Sequence, residues 1–128
     1  MRVVKLGGRA QEDARLPSAM RAAWAAAPGA LCVIHGGGDQ VSALQRTLGT
    51  PAEFVGGRRV TREGDIQTIR MALSGGVNKG LVARLTAAGV PAVGLSGEDG
   101  GLLGARRVGD AALGLVGEPA WVDAALLR

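Results

Sequence analysis

The chain has little with which to cross-link, stack or span. Cys32 is its only cysteine, so no intrachain disulfide can form. It sits inside an apolar run, where a free cysteine packs as a small hydrophobe and burial suppresses the thiolate. Aromatic residues make up 2% of the chain, with no tyrosine, one phenylalanine and two tryptophans. The bases of a nucleic acid would find no stacking platform here. That lack outweighs a net charge of +4 and a pI near 10.6. The arginines come as scattered pairs, Arg58-Arg59 and Arg106-Arg107, and never as a basic run. A small anionic ligand fits this charge better than a nucleic acid does. No stretch of about twenty apolar residues exists to span a membrane. Charge and glycine interrupt the first apolar run, where a secretory signal needs continuity. The expectation is a cytoplasmic globular protein.

Glycine and apolar residues are what the chain has. Hydrophobic residues make up 47% of 128 positions, enough for one domain with a core. The 22 glycines are more than twice the usual share. They are spread along the chain, often where a strand would end, which fits βα turns. No internal repeat or domain boundary is visible.

The stretch 31–38 organises the rest. Leu31-Cys32-Val33-Ile34-His35 is apolar without alternation, the pattern of a strand buried on both faces of a parallel sheet. Gly36-Gly37-Gly38 follows, then Asp39-Gln40, then Val41, Leu44 and Leu48 at helical spacing. Three glycines let a ligand touch backbone N–H groups, and the next helix aims its positive end at the same spot. Strand, turn and helix start together suit a phosphate or carboxylate. The alternative is a tight turn that needs glycine for packing alone. The stretch is neither a dinucleotide fingerprint nor a P-loop, since the required spacing and Lys-Ser or Lys-Thr are missing.

A second strand-to-glycine unit opens the chain, Met1 to Gly8. Lys5 lies near that strand's carboxyl end, where it either faces water at an edge or reaches the crevice in which α/β sheets bind ligands. A helix is expected over Asp13–Ala27, with Leu16, Met20, Ala23 and Trp24 on one face. Another spans Gln40–Leu48. Phe54 to Thr61 reads as a hairpin around Gly56-Gly57. Thr61 would cap a helix Arg62–Leu73, with Ile66, Ile69 and Leu73 inward; Gly75-Gly76 would break it. A helix Val77–Ala88 would close on Gly89, with Asn78 and Lys79 either on the surface or facing the site. Val90–Leu95 reads as a third strand, ending in the loop Ser96 to Gly101. There Glu98 and Asp99 are either metal ligands or, as adjacent carboxylates more often are, turn caps. Leu102–Arg107 and Leu113–Val116 suggest a β-ribbon, and Asp123 caps a last helix. The order argues for an α/β sandwich with a mostly parallel sheet.

Five motifs now stand in one order: Val4-Lys5-Leu6-Gly7-Gly8, Ile34-His35-Gly36-Gly37-Gly38, Gly57-Arg58-Arg59-Val60-Thr61, Val77-Asn78-Lys79 and Gly94-Leu95-Ser96-Gly97-Glu98-Asp99-Gly100. In order and spacing, over almost the whole chain, they resemble the amino acid kinase family, and closely its acetylglutamate kinase branch. The aminoadipate-carrier kinases of lysine biosynthesis share several, but Arg59-Val60-Thr61 is more like the acetylglutamate enzymes. The resemblance implies a three-layer α/β sandwich. It implies that ATP with Mg2+ phosphorylates the side-chain carboxylate of N-acetyl-L-glutamate, giving an acyl phosphate for arginine biosynthesis. By the same resemblance, Lys5 is catalytic and touches the transferred phosphoryl group. Gly7, Gly8, Gly36 and Gly37 line the phosphates, and Gly37 and Gly38 hold the substrate. Arg59 grips the substrate's α-carboxylate, a task suited to its planar fork. No protein metal ligand is implied, and His35 stays structural.

The family's chain continues into a second half that holds adenine and ribose, a second lysine, an organising aspartate and a substrate asparagine. Residues 1–128 match only the amino-terminal, substrate-side part, so the chain alone is expected to be inactive. The helix that precedes the first strand in arginine-inhibited hexamers has no counterpart here, which suggests an arginine-insensitive homodimer. The alternative is a non-catalytic module that binds a small anion or a protein partner. Neither nucleic acid nor membrane is an expected partner.

Overall fold

A computed structural model describes residues 1–29 and 31–127, with backbone alone at positions 8 and 9. Strands β1 (Arg2–Leu6) and β2 (Leu31–His35) pair in parallel, from Arg2 opposite Leu31 to Leu6 opposite His35. Parallel neighbours need a crossover, and helix α1 (Leu16–Ala26) supplies it, with Pro17 tolerated in its first turn. Val4 and Leu6 of β1 and Leu31 and Val33 of β2 share one face. That face packs against Leu16, Met20 and Trp24 of α1, and against Leu81 and Leu85 of α4 (Asn78–Ala87). Val90 and Ala92 complete the cluster.

The other face of the pair is open. Val3 is 56% exposed and Ile34 52%. The expectation of a strand buried on both faces is therefore corrected: α1 and α4 cover one side only. Cys32, on the open side, is half-buried.

Helix α2 spans Gly38–Thr47. Its inward face is not the expected Val41, Leu44 and Leu48. Val41 is buried, but Gln45 is 1% exposed while Leu48 is 52% exposed. The helix turns Gln45 toward two polar partners, described below, so a hydrogen-bonded network takes the place of apolar packing. Strands β3 (Phe54–Val55) and β4 (Arg58–Arg59) form the expected hairpin. Both loop residues, Gly56 and Gly57, have positive φ (56° and 77°), as a primed hairpin turn demands.

Helix α3 (Asp65–Arg70) does not stop at the double glycine. A widened π turn over Met71–Val77 carries the chain straight into α4. The extra residue is absorbed by i→i+5 bonding, so Gly75 and Gly76 widen the helix where a break was expected. Thr61 is not the cap either. It bridges Gly114, and the Asp65 carboxylate accepts the Arg62 N–H (2.7 Å). The far end behaves as read: Gly89 has φ 83°, its N–H bonds Thr86 O, and Val90 N–H bonds Leu85 O, the Schellman pattern.

Val90–Leu95 runs along the core but joins no ladder among the described residues. Pro91 has no N–H to donate. Two carbonyls go to side chains of α4: Gly94 O accepts from Lys79 Nζ (2.9 Å) and Leu95 O from Asn78 Nδ2 (3.3 Å). The β-ribbon exists with a different second arm: β5 (Leu103–Arg107) pairs antiparallel with β6 (Gly117–Val122). The expected arm, 113–116, follows a 3₁₀ turn at Ala111–Leu113 that Asp110 caps through Ala112 N–H. Asp123 caps the last turn through Ala125 N–H (2.9 Å). The architecture is α/β, with one parallel pair and two antiparallel ribbons. The more extensive parallel sheet read from the sequence is not formed within these residues. Among them no helix is long and apolar enough to cross a membrane.

Candidate functional site

Register decides which turns meet. Leu6 and His35 end their strands side by side, so Gly7 and Gly36 leave the pair together. The first turn continues as a 3₁₀ segment, Gly8–Glu12. The second becomes the start of α2, with Gly37 at the N-cap and no side-chain cap. A Cβ built on Gly7, Gly36 or Gly38 meets no atom within 4 Å. Room for a ligand to approach the backbone is what an anion site requires. Gly37 differs, because its Cβ would lie 2.6 Å from Leu73 Cδ2 and 3.1 Å from Val77 Cγ2. Close packing on the π turn accounts for glycine at 37, while no such packing demands glycine at 36 or 38. Asp39, in the first turn of α2, favours the helix dipole but competes with a bound anion.

Lys5 lies on the open face of β1, opposite Ile34 and one residue before the turn. Its ammonium is exposed and makes no ion pair among the described residues. Arg59, on β4, reaches back to the start of α2. Nη2 donates to Gly38 O (3.0 Å) and to Ser42 Oγ (2.8 Å), and Nη1 to Gln45 Oε1 (2.6 Å). The guanidinium also lies over the Phe54 ring, 4.9 Å from its centroid, a contact of about 0.5–1 kcal/mol when exposed. Of five N–H groups, Nε and one on Nη1 stay available. Gln45 passes the order on, its Nε2 donating to Asp65 Oδ1 (2.9 Å). Ser42, Gln45, Asp65 and Phe54 were not legible as site residues. Gln45 lies one turn from Val41, but apolar periodicity carries no mark of a polar inward residue.

A second cluster sits at the end of β2. Asn78 Nδ2 is 3.1 Å from His35 Nε2, and His35 Nδ1 is 2.9 Å from Gly36 O. Of the two α4 residues that the sequence left ambiguous, Asn78 faces this region, while Lys79 is exposed and bonds Gly94 O. In the following loop Asp99 accepts from Ser96 N–H and Oγ–H. Those bonds hold its carboxyl below the usual range. Glu98 pairs with Arg70 through two bonds (2.9 and 2.8 Å). Both carboxylates serve turns and pairs, and among the described residues no three potential metal ligands converge. A cavity of about 390 Å3 is lined by Gln11, Glu12, Gln40, Leu44, Val77 and Arg84 among others, of which Val77 and Gln40 also flank Gly37. It includes none of the expected site residues.

Acetylglutamate kinase of Geobacillus kaustophilus is 47% identical over 96 residues, 75% of this chain and 37% of that protein. The chloroplastic acetylglutamate kinase of Arabidopsis thaliana is 50% identical over 97 residues, 75% of this chain and 28% of that protein. This chain thus spans about a third of the length of such relatives. The crystal structure of smu.665 from Streptococcus mutans UA159 superposes with a TM-score of 0.86 at 26% identity, covering 98% of this chain and 51% of that one. The model of the amino acid kinase family matches residues 1–125. With the match running from the first strand through the β-ribbon, the chain belongs to the amino acid kinase family.

Proposed function

We propose that this chain is the substrate-side part of an acetylglutamate kinase, within a three-layer sandwich whose sheet extends the β1–β2 pair. The proposed reaction transfers a phosphoryl group from ATP to the side-chain carboxylate of N-acetyl-L-glutamate, in the cytoplasmic route to arginine. One observation carries the reading: two glycine turns leave adjacent parallel strands together, with Arg59 docked where α2 begins. Relatives named acetylglutamate kinase, at 47% and 50% identity, support the choice of substrate.

Phosphoryl transfer asks for placement and for positive or N–H groups around the equatorial oxygens. In this reading Lys5 supplies the charge, and Gly7, Gly8, Gly36 and Gly37 supply N–H groups to the phosphates. Gly37 and Gly38 bind the substrate, whose α-carboxylate meets Arg59. Only the Nε edge and one Nη1–H of Arg59 are available, so a two-point grip displaces Gly38 O or Ser42. Mg2+ would arrive on the phosphates of ATP. It commonly keeps several waters and few protein ligands. The nucleotide half, and a partner subunit in a homodimer, would come from outside these residues.

Calorimetry on the chain as it is tests the acceptor side. N-acetyl-L-glutamate should bind weakly, and Arg59→Lys should abolish that binding while leaving any ATP heat unchanged. Equal binding of unrelated carboxylates would favour a general anion module. Binding only of a peptide-linked aminoadipate would favour the lysine-pathway kinases.

A further inference from the structure

We infer that Asn78 is a positioning residue: it fixes the tautomer of His35 and, through it, the orientation of the Gly36–Gly37 peptide.

Two backbone carbonyls in this cluster cannot change role. Leu95 O only accepts, so the Asn78 atom 3.3 Å away is its NH2 group. That NH2 also faces His35 Nε2 at 3.1 Å, so Nε2 must be the bare, accepting nitrogen. Gly36 O also only accepts, and it lies 2.9 Å from His35 Nδ1. Nδ1 therefore carries the proton. Two fixed carbonyls, one at each end, leave the neutral Nδ1–H ring as the state that satisfies every contact.

The next link is the peptide plane. No peptide bond among the described residues is cis, and in a trans peptide the C=O of one residue and the N–H of the next point to opposite sides. Holding Gly36 O against the ring turns the Gly37 N–H away from it. No hydrogen bond to that N–H is found among the described residues. Glycine at 36, with open space where a Cβ would stand, has no side chain to fix its own peptide, so the imidazole does it.

Asn78 is itself held tightly. It is buried, and a Cβ on Gly94 would overlap its Oδ1, which has no hydrogen-bond partner among the described residues. Val82 Cγ2 crowds the same point, at 2.9 Å from that Cβ. The amide cannot turn over without moving Leu95 away from its donor. The chain from α4 to the glycine turn is thus Asn78, His35, Gly36 carbonyl, Gly37 N–H. Its use in anion binding rests on the function proposed above; the tautomer does not.

The protein has one histidine, so a ¹⁵N-labelled sample gives a single ring pattern. At about pH 8, above the ordinary imidazole range, the unmodified chain should show Nδ1 protonated and Nε2 bare. Asn78→Ala should lose that preference and displace the Gly37 amide resonance. Asn78→Asp replaces a donor with an acceptor and should draw a proton onto Nε2 while Nδ1 keeps its own against Gly36 O. Amide dispersion in each sample reports whether the variant folds, and the unmodified ring needs no variant. A protonated Nε2 in the unmodified chain would overturn the inference. So would a folded Asn78→Ala protein with unchanged ring and Gly37 signals. Inorganic phosphate, titrated into the same samples, should shift the Gly37 amide in the unmodified chain and less in Asn78→Ala. If phosphate leaves it unmoved while the tautomer results hold, the anion site fails and the positioning stands.

Discussion

Gln45 has both ends of its amide answered, by Arg59 and by Asp65, at a point sealed from water. Replacing it with leucine keeps the volume but leaves a buried carboxylate oxygen and a guanidinium N–H without partners. A loss of about 1–3 kcal/mol is expected, measured by urea unfolding; a change under 0.5 kcal/mol would show that water replaces the amide. Lys5 is the opposite case. It is exposed and unpaired by any described acid, so Lys5→Ala should leave stability within about 0.5 kcal/mol. If the proposed role holds, the same change in a full-length protein should cut turnover by about a hundredfold or more, as removal of one preorganised donor does. Unchanged turnover would take Lys5 out of the site. The contrast explains what the sequence made legible. Local pattern marks the glycine turns beside their strands but leaves Lys5 between a water-facing edge and the crevice, and only the resemblance gives it a role. Gln45 depends on partners 14 and 20 positions away, and no local pattern carries that.

At the scale of elements, strand ends and turns were readable and helix interiors less so. Gly75-Gly76 looked like a stop because glycine lowers helix propensity, yet the packed residues on either side carry the helix through as a π turn. Val90–Leu95 looked like a strand because propensity cannot say who takes its carbonyls. Gly38 is a sharper test of how propensity and function divide. It is the first residue of α2 and has room for a methyl group. Gly38→Ala should raise stability by about 0.5–1 kcal/mol, yet weaken phosphate binding by placing a methyl before the N–H groups. A melt that rises with binding unchanged would disconnect this turn from the anion. The Ser96–Asp99 turn gives a pH test. Bonds from Ser96 N–H and hydroxyl lower the Asp99 pKa in the folded state. Its contribution is then complete above the unfolded value, about 3.9, and is lost as pH falls through the lower folded value. The melting difference between the protein and Asp99→Asn should be constant from neutral pH to about 5 and shrink below about 4. A difference that stays constant into strong acid would mean the carboxylate does not hold the turn.

For the molecule as a whole, the question is what the open side of the parallel pair does in water. Val3 and Ile34 are 56% and 52% exposed, and Val93, on the segment that follows α4, is 84% exposed. Burying a branched aliphatic side chain fully is worth about 1.5–3 kcal/mol. Both strands of a two-stranded sheet also offer an unpaired edge, a template for another chain. Face and edge act together, because a second copy that pairs at the edge extends the sheet and covers more of the face. The basic charge of the chain opposes this only weakly at physiological salt, where screening acts within about 8 Å. The chain should therefore self-associate, with a sedimentation mass above monomer that falls on dilution. Val3→Thr with Ile34→Thr should lower that mass toward the monomer. The melting temperature should change little, since neither side chain belongs to the buried cluster. If the double variant associates as strongly as the parent, the edges alone drive assembly. A monomer at every concentration would mean that neither the open face nor the edges are sticky enough to matter.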